Sequence, residues 1–225
     1  MIHFLSIATT FSIAVKITRR PVYYMFQGGM KAARKSEATR NHILSVGRDM
    51  VLTGGFGGVG LKALLERCCV PKGSFYYYFS SKEVFGCCLL QDYVDDYLHR
   101  MDTLLALPES GGAKLMRFWS AWLEEDNSGG IADRCLVVKL AAEISDLSED
   151  MRAILDDGVA QLVGRVAQLL EEGAADGSLR AQADPKSIAG ILYAQWLGAA
   201  VLAKLSKSKT PLRQALSDTR ARLEA

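Results

Sequence analysis

The chain has 225 residues, enough for one large or two small hydrophobic cores. With 49% hydrophobic residues and only five prolines, it is excluded from the disordered and low-complexity classes. The net charge of +2 conceals an asymmetry, nine Lys/Arg against three Asp/Glu over residues 31–82 and fifteen against twenty-two over 83–225, the pattern of a basic front end that meets a polyanion.

Residues 1–30 do not fit the remainder. The apolar run from Ile2 to Val15 is too short to span a bilayer. Lys16, Arg19 and Arg20 follow that run instead of preceding it, the reverse of a secretory signal. Met25 and Met30 both precede the first good helix, so the preferred expectation is a disordered tail or an extension from a misassigned start. The other reading is a segment that touches a membrane through its basic residues; no stable membrane association is expected.

Lys31, Arg34 and Lys35 form a basic arm, either solvated or in contact with phosphate. Ser36 is a good N-cap with Glu37 in the first turn, which predicts a helix from Ser36 to about Thr53. Its inner face is Ile43, Val46, Gly47, Met50 and Val51. The glycines of residues 54–58 end it, and Phe56 among them is expected to plug the core of the small domain.

Leu61, Leu64, Leu65 and Cys68 fall at i, i+3, i+4 and i+7, one apolar face of a short helix. Pro71 breaks the period and suits the first turn of a new helix, since it has no N–H to donate. That second helix runs from Lys72 to about Tyr78, with Phe75 and Phe79 on its buried side. Ser80 and Glu83 match a capping box, so another helix follows at once. Two short helices on a tight turn read as a helix-turn-helix. Lys72 suits a phosphate, and Gly73 and Ser74 allow a close backbone approach. Tyr76, Tyr77 and Tyr78 cannot all point inward and offer rings and hydroxyls to DNA. Lys82 stands in the first turn of a helix, an unfavourable place for a cation that phosphates would relieve.

The run VPKGSFYYYFSSKEVFG resembles the DNA-binding signature of the tetracycline-repressor (TetR) family of bacterial regulators. Pro71 stands where many members have Ser, and Cys69 where many have the turn Gly. The resemblance implies an all-α fold, with residues 31–85 as the helix-turn-helix DNA-binding domain and 86–225 as an effector-sensing and dimerisation domain.

The next helix is expected from Ser81 to about Leu107, about 40 Å at 1.5 Å per residue, linking the two parts mechanically. Residues 113–126 carry Leu115, Phe118, Trp119, Trp122 and Leu123 at helical spacing. Such a stripe is either core or, with Tyr193 and Trp196, the lining of a ligand cavity. Asp133 is expected to cap a helix that places Cys135 in its first turn and Lys139 four residues on, two conditions that lower a thiol pKa. The alternative is an inert buried cysteine.

Ser148 is a cap for a helix with the stripe Met151, Ile154, Leu155, Leu162, Val163, Val166, Leu169 and Leu170, ended by Gly173 and Gly177. Asp184-Pro185 opens a helix from Lys186 to Leu205 that is apolar on nearly every face, and a short helix follows from Leu212 to Leu223. Gly190, Ala194 and Gly198 permit close helix approach. The pair predicts a four-helix dimer interface, two helices from each subunit.

CLVVKLAAEISDLSEDMR and LYAQWLGAAVLAKLS resemble the branch of the TetR family typified by the N-ethylmaleimide reductase repressor. That resemblance implies that Cys135 senses electrophiles or oxidants with Lys204 as its partner. Asp133-Arg134 replace the Ser-Gly expected before the cysteine. The five cysteines lack zinc-ligand spacing and no histidine follows His99, so neither a metal, a cofactor nor a Cys-His enzyme is expected. Cys68 and one of Cys87/Cys88 read as small buried hydrophobes in a reducing cytoplasm. The expectation is a cytoplasmic homodimeric repressor on palindromic operator DNA, its recognition helices about 34–36 Å apart. It is released when Cys135 is modified; the alternative is release by a reversibly bound apolar molecule.

Overall fold

The computed structural model describes residues 22–124 and 130–224, with side chains described from Ser36 onward. The chain divides into two compact units between Thr39 and Arg40, and all packing below lies from Arg40 onward. The described residues form an all-helical fold.

Helix α1 is Val22–Gly58, so it starts well ahead of Ser36. The sequence has no proline between Val22 and Ser36 and is rich there in good helix formers, so nothing stops the helix at the predicted cap. Residues 22–30 of the expected disordered extension are therefore helical, and residues 1–21 lie outside the described residues. Near its end α1 is interrupted at Gly55 (φ 76°, ψ 169°), a conformation that glycine adopts without the Cβ penalty. The break turns Phe56 inward to 4% exposure.

Helices α2 (Leu61–Cys68) and α3 (Lys72–Tyr78) follow with the predicted bounds. Helix α4 is Lys82–Leu105, capped by Ser81 and not Ser80. The Ser81 hydroxyl accepts the Val84 N–H at 3.0 Å. The Glu83 carboxylate accepts the Ser148 hydroxyl at 2.6 Å instead of closing a capping box. Starting one residue later leaves Ser80 exposed outside the helix, so the box expected from the sequence does not form. Gly86 lets α4 lie against Phe56, whose ring would stand 2.6 Å from any Cβ placed there. Cys68 is buried as expected, but Cys87 and Cys88 are both only half-buried.

Helix α5 (Gly111–Ser120) starts on the Ser110 cap. The single helix expected from Asp133 is instead two, α6 (Ile131–Arg134) and α7 (Leu136–Leu147). Helices α8 (Glu149–Ala175), α9 (Pro185–Ser206) and α10 (Thr210–Leu223) complete the chain, with Ser148 and Asp184 as the predicted caps of the first two.

Helix α8 is the centre of the larger core and packs on α4, α5, α7 and α9. The predicted apolar stripe supplies that contact: Met151, Leu155, Leu162, Val166, Leu169 and Leu170 are all buried. Beside it, Trp119 and Trp196 stack with ring centroids 4.7 Å apart, and Trp122 lies edge-on to Trp196. Helix α9 faces this core with Leu192, Tyr193, Trp196 and Ala200, while Ile191, Val201, Leu202 and Leu205 on its other side are exposed.

Candidate DNA-reading surface and thiol site

The α2–α3 pair is built from the inside outward. Leu64 and Cys68 of α2 point into the core. Cys69 then adopts a left-handed conformation (φ 54°) in the place expected of a glycine, its N–H turned back to the carbonyls of Leu65 and Glu66. Pro71 caps α3 from just outside it, and its carbonyl accepts the Ser74 N–H at 2.9 Å. Phe75 and Phe79 are both fully buried, and with Phe85 of α4 their rings form a cluster with centroids 5.2–5.5 Å apart.

That anchoring leaves the other face of α3 uncommitted. Lys72, Gly73, Tyr76 and Tyr77 are exposed, and Ser74 and Tyr78 are half-buried. Tyr77 is 76% exposed and Tyr76 46%. Lys72 Nζ stands 5.8 Å from the Tyr76 ring, and Tyr77 meets Tyr78 edge-on at 4.9 Å. A Cβ at Gly73 would meet nothing within 4 Å, so internal packing does not demand a glycine there. Lys82 stands apart from this face. Its Nζ donates to the Gly57 carbonyl at 3.5 Å and lies 4.9 Å above the Phe56 ring, partners that offset its poor position at a helix start.

Cys135 sits at the junction of α6 and α7 with 2% exposure. It is itself the N-cap of α7: its Sγ accepts the Val138 N–H at 3.5 Å, so Asp133 does not cap this helix. The Tyr93 hydroxyl of α4 donates to Sγ at 3.8 Å. Burial pushes the thiol up from its ordinary value, against the opposing pull of the Val138 N–H, the Tyr93 hydroxyl, the Val137 N–H and the Lys204 charge. The lowered pKa expected from sequence is therefore reversed, because desolvation outweighs the helix terminus. Burial likewise holds Tyr93, Tyr97 and Tyr193 protonated far above the ordinary tyrosine range.

Lys139 does not serve the thiol; its Nζ donates to the Thr53 carbonyl of α1 at 3.3 Å. Lys204 is near, but its Nζ donates to the Asp133 carbonyl at 2.9 Å, and Lys209 pairs with the Asp133 carboxylate at 2.8 Å. One turn beyond Lys139, Glu143 accepts the backbone N–H groups of Phe56 and Gly57. Cys135 thus starts a helix whose side chains grip the end of α1. Glu143 and Tyr93 were not singled out from sequence, and no local pattern marks either.

The four aromatic residues considered for a ligand cavity are core. Trp119, Trp122 and Trp196 are completely buried and Tyr193 nearly so, and Trp196 donates to the Thr219 hydroxyl at 3.1 Å. Their rings fill the space by packing on one another. A cleft of about 410 Å³ opens elsewhere, between α1, α4, α5 and α6.

A family model described as bacterial regulatory proteins, tetR family, matches residues 43–85, and one described as tetracyclin repressor-like, C-terminal domain, matches residues 111–218. The HTH-type transcriptional repressor NemR of Escherichia coli (strain K12) is 41% identical over 180 residues, covering 80% of this chain and 90% of that protein. The crystal structure of reduced E. coli NemR superposes with a TM-score of 0.76 at 38% identity, covering 83% of this chain and 97% of that one. A crystal structure described as a TetR/AcrR family member gives a TM-score of 0.75 at 48% identity, over 82% and 98% of the two chains.

Proposed function

The chain belongs to the TetR family of bacterial regulatory proteins as a DNA-binding transcriptional repressor, and on that premise we propose a homodimer whose hold on operator DNA is set by Cys135. Residues 31–85 read DNA through the open face of α3, and residues 86–225 sense the effector and pair the subunits. The place of work is then the cytoplasm, where the operator is.

The observation that carries this reading is the path from the thiol to the DNA-reading part. Cys135 caps α7, and Lys139 and Glu143 on the same helix hold the last turn of α1. An electrophile bonded to a sulfur that is 2% exposed cannot fit without moving the first turn of α7. That movement disturbs the grip on α1 and changes the distance between the two α3 helices of a dimer. The modified state must favour the non-binding arrangement by a few kcal/mol, roughly 5.5 for a complete switch. For a hypohalous oxidant, the thiol becomes a sulfenyl halide with loss of water. The Lys204 amine then displaces halide and loses a proton to form an S–N bond.

The exposed stripe on α9 is the pairing surface. By length and composition α9 could cross a membrane, but its opposite side is built into the aromatic core, so the stripe meets a second copy.

The test is fluorescence anisotropy with DNA from upstream of the chain's own gene. N-ethylmaleimide releases the wild-type protein and leaves Cys135→Ser bound. Equal release of both overturns the thiol trigger.

A further inference from the structure

The cleft between α1, α4, α5 and α6 has the size of a small-molecule site. Four guanidinium groups line it, one from each helix: Arg48, Arg100, Arg117 and Arg134. Asp96 and Glu124 are the carboxylates in the same lining, so the arginines outnumber them. Arg48 pairs with Asp92 and Asp96, Arg100 with Asp96 at 3.0 Å, and Arg117 with Glu109 at 2.6 Å. These pairs do not use every donor. Arg48 Nε is buried without a hydrogen-bond partner, and the buried Tyr97 hydroxyl, beside the Trp122 indole N–H, has no acceptor for its own proton. A buried donor left unpaired is costly, and each of these two calls for an acceptor oxygen.

One side chain separates the cleft from the thiol. Tyr93 lines the cleft and donates its hydroxyl to Cys135 Sγ. Cys135 itself is 2% exposed, so a reagent must reach it through a neighbouring wall. Tyr93 is the wall that the cleft and the sulfur share.

We propose that this cleft is the docking site for electrophiles that carry a carboxylate. The arginines and the Tyr97 hydroxyl hold the carboxylate, and the reactive carbon passes Tyr93 to meet Sγ. With an activated alkene, an Sγ–C bond forms as the C=C π bond breaks. The thiol proton ends on the neighbouring carbon, so no oxidant or reductant is consumed. The proposal rests on the reading of Cys135 as the sensor and adds a preference among its reagents.

Two maleimides of similar size test it on the full-length protein: N-carboxymethylmaleimide and N-ethylmaleimide. The alkylation rate of Cys135 is followed by peptide mass spectrometry for each, and divided by the rate of the same reagent with 2-mercaptoethanol. The normalised ratio of charged to uncharged reagent is expected to be about tenfold at low salt, the worth of one charge-assisted contact. It falls at least threefold in Tyr97→Phe or Arg134→Gln. A wild-type ratio below three, or a preference kept by both variants, overturns the docking site while alkylation by N-ethylmaleimide leaves the sensor reading standing. Absence of alkylation by either reagent overturns both.

Discussion

The carboxylate of Glu143 accepts the backbone N–H of Phe56 at 3.1 Å, and its second oxygen takes the N–H of Gly57. A side chain of α7 thereby occupies the donors that the break at Gly55 frees in α1. The break exposes N–H groups much as a helix start does, and an anion is a favourable partner for them. The same carboxylate fills the space before Gly55, where a Cβ would stand 2.8 Å from it.

Glu143→Ala removes both bonds and leaves two donors to water. Chemical denaturation should register a loss of about 1–2 kcal/mol. Operator affinity should fall as well. Cys135 in this variant should still be alkylated, with less additional release of DNA than in the wild type, because the link to α1 is already gone. Full alkylation-dependent release would show that the signal travels elsewhere.

The open face of α3 makes a different prediction. Lys72→Ala should weaken binding to all duplexes alike and reduce the slope of log affinity against log salt by about 1. Tyr77→Ala should cost about tenfold in operator affinity with no change in melting temperature, since the side chain is 76% exposed. Anisotropy titrations at several salt concentrations, paired with thermal melts, check both.

Burial pushes the thiol above its ordinary value, which already lies above neutral pH. The reactive thiolate then grows about tenfold per pH unit across the neutral range. Alkylation of Cys135 should keep rising with that slope across the neutral range in stopped time courses. A plateau near pH 7 would contradict the burial argument.

Lys114 of α5 and Glu172 of α8 form an ion pair at 2.6 Å, the lysine side chain 7% exposed and the glutamate 33%. Lys114 holds the Glu172 carboxyl below its ordinary value. A depressed folded-state value contributes stability above the unfolded carboxylate range, about pH 4.3, and loses it as pH falls through the depressed value. Lys114→Met should therefore be less stable than the wild type at pH 7. Discounted for the exposure of Glu172, the difference is about 1–2 kcal/mol. It should shrink toward acid. Urea midpoints at pH 7 and in the acid range measure it.

Charge on the exposed stripe of α9 should split the dimer. Leu202→Asp places a carboxylate on a residue that is 56% exposed in the single chain and would be covered in a pair. Light scattering should report a folded monomer with much weaker operator binding.

The helical plan was legible because it is written locally. The period of Leu61, Leu64 and Cys68, the break at Pro71 and the caps at Ser148 and Asp184 each act within a few residues. The buried Phe75 and Phe79 with exposed tyrosines beside them followed from spacing alone. The Ser81 cap was missed because Ser80 and Ser81 are chemically alike and only the start of α4 separates them. Long-range partners left no local mark. Lys139 lies in helical register with Cys135, yet it turns to Thr53, and Glu143 meets residues far back in the chain. The thiol pKa went the wrong way for the same reason: the helix terminus is local, whereas the burial that outweighs it comes from several elements.

The central claim is that the state of one sulfur sets the grip on DNA. The direct measurement follows operator release and the modified fraction of Cys135 in the same samples during titration with N-ethylmaleimide. The two should rise together, with release complete when Cys135 is fully modified. A protein that carries the adduct on every Cys135 and still holds its operator would contradict the account.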